Sequence, residues 1–309
     1  MILSASRRTD IPGFYTDWFM NRLRDGYTLI RNPYNPRQVR RVVLHPDIVD
    51  CIVFWTKDPA PLLSRLAEIE DRGYSYCFQF TLTPYGPCLE RNLRSKEEIL
   101  KTFLALGERI GKNRIQWRYD PVLLTEEWTV QRHTEAFTHL CHALAPVSAG
   151  VTISFIDMYR RCRAVGLHSL TSEEMREIGR NFGAIAKEYA LPIQTCCEKI
   201  DLSIYGIRRG GCISRELLEE ACGDSLLLKP AKHQRHGCGC VESVDIGAYN
   251  TCLHDCIYCY ASDSQAAVQR QLANYDPLSP LLIGRLKKED TVYTKAEASE
   301  RQGQMRLPG

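Results

Sequence analysis

Apolar and polar positions follow two different rhythms over the first two hundred residues of the chain. Short, nearly continuous apolar runs predict six strands, at 1–6, 50–56, 76–82, 114–120, 151–157 and 191–197. Apolar residues at spacings of three and four predict helices between them, at 14–26, 60–73, 95–111, 125–145 and 171–190. "SKEE" and "TSEE" are typical helix starts, and Gly26, Gly73 and Gly111 end three of the predicted helices.

Strands that alternate with helices in this way predict a parallel sheet, and strands that are apolar throughout indicate a sheet covered on both faces. We therefore expect an α/β fold, a partial (β/α)6 TIM-type barrel over residues 1–200. The segment 27–48 interrupts the rhythm and predicts a small hairpin insertion. Residues 201–275 are rich in cysteine and glycine, whereas 276–309 predict a polar, mobile tail.

Composition narrows the class of protein without identifying it. The 309 residues are 44% hydrophobic and carry a net charge of +3, which is too mild to indicate nucleic acid and does not exclude it. No run of 18 apolar residues is present, so we expect no membrane span. The start "MILSASRRTD" lacks the features of a signal peptide, which predicts a cytoplasmic protein.

The cytoplasm keeps thiols reduced, so fourteen cysteines indicate metal ligation rather than disulfide bonds. Four of them, Cys51, Cys77, Cys141 and Cys162, lie in apolar segments and are predicted to be small core residues.

Polar residues are dense where the predicted strands end, which is the edge that carries the chemistry of parallel barrels. Each of these polar residues alone could simply lie where a strand meets solvent. Together they predict a polar cavity that accepts anions, because charge within apolar sequence is costly to bury without a partner. The candidates for catalysis are Arg7, Arg8, Asp10, Lys57, Arg118 and Asp120.

The residues with the most specific chemistry lie late in the chain, in "CLHDCIYC". Cys252, Cys256 and Cys259 have the spacing C-x3-C-x2-C, and Tyr258 precedes the last cysteine. Three thiolates are one fewer than a four-iron cluster can bind, so one iron would stay open to a small molecule. With this spacing and aromatic, the sequence resembles the radical SAM superfamily.

That resemblance implies a [4Fe-4S] cluster on these three cysteines, S-adenosyl-L-methionine as cofactor, and a 5′-deoxyadenosyl radical that abstracts hydrogen from an unknown substrate. It also implies an electron donor such as flavodoxin or ferredoxin, with Tyr258 near the adenine. Thr56, Lys57, Arg118 and Ser154 are the further candidates for binding the cofactor. "YCYA", "WTK" and "RYDP" are similar to the spore photoproduct lyase branch, which by analogy suggests a nucleic-acid substrate.

The order of the elements departs from the superfamily, whose cysteine loop normally follows the first strand. Here the loop follows the sixth predicted strand, and "SRRTDIPG" follows the first. This order, with "FWTKDP", "WRYDP" and "CGCVESVDIGAYNTC", resembles the uncharacterised DUF1848 family over essentially the whole chain. The resemblance implies a permuted fold in which residues 201–275 bind the cluster and close the barrel mouth.

A second group, Cys197, Cys212, Cys238 and Cys240, could complete another iron–sulfur cluster or a zinc site, with Cys196 as an alternative to Cys197. These cysteines could equally be free thiols, and His233 and His236 could be ligands or surface residues. Two alternative functions stay open. Cys238 and Cys240 could form a zinc ribbon with Cys256 and Cys259 in a nucleic-acid-binding protein, or the loop could hold an electron-transfer cluster.

Overall fold

The structure, a computed structural model, describes residues 1–232, 234–235 and 237–302, and its strands form two sheets. The strands are β1 Ile2–Ala5, β2 Tyr27–Arg31, β3 Gln38–Val43, β4 Cys51–Thr56, β5 Tyr76–Thr81, β6 Ile115–Val122, β7 Gly150–Phe155, β8 Ile193–Cys196, β9 Arg208–Gly210, β10 Val244–Asp245 and β11 Thr291–Thr294. The large sheet has the order β10-β1-β4-β5-β6-β7-β8-β9. All its pairs are parallel, so all its strands end at one edge.

Helices flank this sheet. They are α1 Ile11–Phe14, α2 Thr16–Asp25, α3 Ala60–Leu63, α4 Leu66–Asp71, α5 Lys96–Ile110, α6 Val130–Leu144, α7 Arg160–Ala164, α8 Ser172–Glu188, α9 Arg215–Cys222 and α10 Gln265–Leu272. Ser95 with Glu98 and Thr171 with Glu174 form the capping boxes that begin α5 and α8. Phe137 of α6 stacks on Phe182 of α8 at 3.9 Å between ring centres, and this pair packs the two helices over Trp117 of β6.

The α/β class and all six predicted strands are confirmed, but the sheet has eight strands instead of six. The two additional strands, β9 and β10, have three and two residues, which is too short to give an apolar period. β10 pairs with β1, with Ser4 opposite Asp245, and so occupies the first position of the sheet. The cysteine loop therefore follows a strand of its own, at the opposite end of the sheet from β8.

The hairpin insertion predicted over 27–48 is confirmed, because β2 and β3 pair antiparallel. Within the predicted polar tail, β11 pairs with β3 and completes a three-stranded sheet. Ion pairs join this segment to the hairpin insertion. Arg31 binds Asp290 at 2.7 Å, and Arg40 binds Glu297.

Cys51, Cys77, Cys141 and Cys162 are fully buried, which confirms them as core residues. Within the described ranges, every helix is too short or too polar to cross a membrane.

Candidate functional site

A cavity of about 720 Å³ opens at the edge where the strands of the large sheet end. It brings together the site residues proposed from the sequence, other than His233 and His236, although they come from distant parts of the chain. Its lining includes Arg7, Arg8, Asp10, Thr56, Lys57, Arg118, Asp120, Ser154, Cys197, Cys212, Cys238, Cys240, Cys252, Cys256, Tyr258 and Cys259.

The first anchor of the cysteine loop is Asp245, the last residue of β10. Its carboxylate accepts hydrogen bonds from Ser4 Oγ at 2.9 Å, Ser6 Oγ at 2.6 Å and the Arg7 backbone N–H at 2.8 Å. Gly247 follows at a point where a Cβ would overlap the Ser6 hydroxyl, so only glycine lets the chain pass this close to β1. The start of the loop is thereby fixed against the end of β1.

The second anchor is Asp10, which is buried between the loop and the ends of β1 and β4. Its Oδ2 accepts from His254 Nε2 at 2.7 Å, from Thr56 Oγ1 at 3.0 Å and from the Lys57 backbone N–H at 2.7 Å. His254 lies between Cys252 and Cys256, so Asp10 holds the middle of the cysteine loop over the strand ends.

The third anchor is a buried ionic network around Glu90, whose side chain is fully inaccessible. Lys57 Nζ lies 2.6 Å from Glu90 Oε1, Lys96 pairs with the other oxygen, and the Tyr258 hydroxyl donates to Oε1. Burial disfavours the carboxylate, but the two lysines outweigh it and lower the pKa of Glu90 to about 2. Lys57 is thus committed to an ion pair, and Tyr258 is held by its hydroxyl with its ring on the cavity wall.

The three loop cysteines are close enough to perturb one another electrostatically. Burial raises the pKa of Cys256 to about 12 and that of Cys252 well above its usual range, so both keep their protons until a cation replaces them. Among the described residues, no three His, Cys, Asp or Glu side chains form a preformed metal shell. The donor set suits a thiophilic metal in type and number, but its thiols would have to rotate to bind one.

Three buried polar atoms beside the loop find no hydrogen-bond partner within the described residues: Arg7 Nη2, Thr9 Oγ1 and His254 Nδ1. An unsatisfied buried polar atom costs about 1–3 kcal/mol, so such atoms indicate a missing ligand or water. Because His254 Nε2 donates to Asp10, the neutral ring leaves Nδ1 as an acceptor. Arg7 offers a donor. Together they suit a small ligand that carries both a donor and an acceptor.

Arg118, Asp120 and Ser154 make their contacts elsewhere in the cavity. Arg118 Nη1 lies 2.8 Å from Cys212 Sγ, its other nitrogen pairs with Asp120, and Ser154 donates to Asp120. Arg118 is therefore a neighbour of the second cysteine group.

The second cysteine group also assembles in the cavity, and it includes Cys196. Cys238 and Cys240 belong to one packed cluster with Cys196, Cys197 and Cys212, whereas Cys256 and Cys259 belong to another. Within the described residues, the pairing that a zinc ribbon requires is therefore not formed. His233 and His236 lie outside the described residues.

Sequence reasoning missed Glu90, Asp245 and His254. His254 and Asp245 each had a signal, the first inside the cysteine spacing and the second in the run "VDIG" with apolar neighbours. Glu90 had none, because it lies in the irregular segment "TPYGPCLERN" without periodicity.

Comparison with known proteins adds a family and little else. The family model described as "Domain of unknown function (DUF1848)" matches residues 2–261. No curated protein matches the sequence. A crystal structure of a provisionally assigned alpha-L-fucosidase from Bacteroides thetaiotaomicron is similar at 13% identity and a TM-score of 0.26, over 58% of this chain and 73% of that one.

Proposed function

The chain belongs to the DUF1848 family, whose function is unknown, and we propose that it is a radical SAM-type enzyme. The observation that carries this proposal is the position of Cys252, Cys256 and Cys259. All three line one cavity at the carboxyl ends of a parallel sheet, in a loop that follows the first strand in the order of the sheet.

The order of the strands in the sheet supports the resemblance to the radical SAM superfamily, although the order of the elements along the chain departs from it. In the superfamily the loop normally follows the first strand, and β10 holds that position here although it comes late in the chain. The Val241 N–H, before β10, donates to the Ile213 carbonyl, beyond β9, at 3.0 Å. Since β9 and β10 are the two edge strands, this contact further supports a sheet that curls into a TIM-type barrel. The permutation would then change the order of synthesis and leave the site in its usual place.

A four-iron cluster on these three thiolates would supply one electron to S-adenosyl-L-methionine, whose C–S bond breaks to give methionine and the 5′-deoxyadenosyl radical. The protein's own part is to orient the cofactor. Arg7 Nη2 can donate to its carboxylate, and His254 Nδ1 can accept from its ammonium group, which gives the two unpartnered atoms opposite roles. Asp10 keeps His254 in the tautomer that this requires.

The Glu90 network has a different role, which is to keep the cavity wall rigid and dry. The Tyr258 ring contacts Tyr85 edge to face and is tied by its hydroxyl, so it offers a fixed apolar surface for a flat group such as adenine. A reactive radical needs such a wall, because mobile water or side chains would quench it.

The test is cofactor cleavage under anaerobic conditions. Protein reconstituted with iron and sulfide, then reduced, should convert S-adenosyl-L-methionine to 5′-deoxyadenosine and methionine, measured by chromatography. Cys252→Ala, Cys256→Ala and Cys259→Ala combined should reduce cleavage to background, because no open iron would remain. Cys77→Ala, Cys88→Ala and Cys141→Ala combined form the matched control, which should retain cleavage.

Protein that takes up stoichiometric zinc, stays colourless after reconstitution and leaves the cofactor intact would refute this proposal. That result would favour the zinc-dependent alternative. Cleavage that survives in the loop variant would equally contradict the assignment of these cysteines.

A further inference from the structure

Five cysteines from three separate segments converge on one part of the cavity wall. Cys196 and Cys197 lie at the end of β8, Cys212 follows β9, and Cys238 and Cys240 precede β10. The Sγ atoms of Cys196 and Cys212 are 2.8 Å apart. Cys196, Cys212 and Cys240 belong to one buried cluster, and Cys197 and Cys238 pack against it. Burying small side chains does not require five thiols to meet.

Glycines bring these segments together. A Cβ on Gly211 would overlap the carbonyl oxygen of Gly239, and one on Gly210 would overlap the Gln194 amide. The two backbones before Cys212 and Cys240 can therefore lie side by side only because neither carries a side chain there. The sequences "GGC" and "GCGC" thus serve to place thiols next to each other.

The backbone at Cys197 is also unusual. Its φ is 57°, in the left-handed region that residues other than glycine rarely adopt. This turn ends β8 and brings the adjacent thiols of Cys196 and Cys197 into the same group. Backbone strain of this kind concentrates at functional sites.

Cations line the group. Arg118 is 6% exposed, and its Nη1 lies 2.8 Å from Cys212 Sγ. The guanidinium groups of Arg118 and Arg7 lie 5.2 and 5.1 Å from the centre of the Trp55 ring, so both are held beside the cysteines. Buried cations suit thiolates better than neutral thiols, and hydrogen bonds to ligand sulfur are the usual outer shell of a metal centre.

We propose that Cys212, Cys238, Cys240 and the Cys196–Cys197 pair bind a second, all-thiolate metal centre, either an iron–sulfur cluster or zinc. Four thiolates in a tetrahedral arrangement select these two metals. Zn–S bonds of about 2.3 Å place neighbouring sulfurs about 3.8 Å apart, so binding would separate the Cys196 and Cys212 sulfurs by about 1 Å. The proposal does not depend on the loop cysteines.

The experiment replaces the three loop cysteines and measures whether the protein still binds metal. The variant with Cys252→Ala, Cys256→Ala and Cys259→Ala, reconstituted anaerobically, should retain bound metal. If both centres are cubanes, it should hold half the iron of the parent, about four of about eight atoms. Iron, sulfide and zinc contents distinguish the two metals, and X-ray absorption at the retained metal should give an all-sulfur shell.

Adding Cys238→Ala and Cys240→Ala to this variant should remove the remaining metal. Adding Cys77→Ala and Cys141→Ala is the matched control and should not. If the five-residue variant fails to fold, the X-ray absorption of the loop variant decides the question alone. Zinc would show four cysteine sulfurs, and iron would show cysteine sulfur together with bridging sulfide.

A loop variant without metal, or with nitrogen or oxygen in the metal shell, overturns the second centre. Metal that survives Cys238→Ala and Cys240→Ala does the same. These failures are separate from failure of the proposed function. Cofactor cleavage by the parent with a metal-free loop variant refutes only the second centre, whereas a metal-bound loop variant of an inactive parent refutes only the enzyme.

Discussion

At the scale of single residues, the buried polar groups divide into those with a full set of partners and those without. His133 belongs to the first kind. Its Nε2 lies 2.7 Å from the Leu123 carbonyl and its Nδ1 lies 2.7 Å from the Tyr119 hydroxyl, so the neutral ring satisfies both nitrogens. Arg7, Thr9 and His254 belong to the second kind, and all three line the cavity. Unsatisfied atoms are therefore concentrated at the cavity without being confined to it, since Arg22, Arg72 and Ser262 hold one each outside its lining.

His133 predicts a specific pH dependence of stability. Burial lowers its pKa to about 4, whereas the unfolded chain binds the proton near pH 6.5. As pH falls through this window, the unfolded state gains a proton first, so this residue removes up to about 3 kcal/mol from the free energy of unfolding. Urea unfolding of metal-free protein at pH 7 and 4.5 measures it.

His133→Gln should weaken that pH dependence, while His139→Gln, an exposed histidine on the same helix, should leave it as in the parent. Equal pH dependence in all three proteins would show that His133 is protonated equally in both states.

At the scale of elements, the close contact between α8 and the 3-10 turn Ser203–Tyr205 depends on one glycine. A Cβ on Gly183 would overlap the Tyr205 carbonyl oxygen. Gly183→Ala should lower the free energy of unfolding by about 1–3 kcal/mol, although alanine normally stabilises a helix. Gly179→Ala on the same helix is the control and should cost less, because its Cβ would meet only the mobile end of Leu202. Urea unfolding compares the two, and a stabilised Gly183→Ala protein would contradict the packing.

The elements also show which parts of the fold could be predicted from the sequence. Strands such as β4 and β7 were predictable because burial on both faces makes them apolar throughout. β10 was not, since its place depends on hydrogen bonds that Ser4 and Ser6, about 240 residues away, donate to Asp245, instead of on its own two residues. The loop cysteines were identified from spacing alone. Of their anchors, Asp10 was among the candidates, whereas Asp245 and Glu90 were not, because tertiary contacts leave no local period.

At the scale of the whole molecule, the C-terminal segment fastens the two sheets together. Asp290 and Glu297 bind the hairpin insertion, while Ser299 Oγ reaches Asp50 at 2.5 Å, just before β4. A chain that ends at residue 286 should therefore unfold roughly 5 °C lower than the full chain. A chain that ends at residue 302 is the control, because all the contacts named here precede it. Equal midpoints for all three in calorimetry would show that the segment adds no stability.

The position of β10 late in the chain also determines when the sheet can be completed during synthesis. Ser4 emerges from the ribosome 241 residues before its partner Asp245, which at about 5–20 residues per second is a delay of roughly 10–50 s. During that interval the nascent chain exposes the free edge of β1, a template for mispairing. The loop cysteines emerge later still. Any metal that the loop binds must therefore enter late in the maturation of this protein, and a chain stalled before β10 would carry an open sheet edge without the loop cysteines.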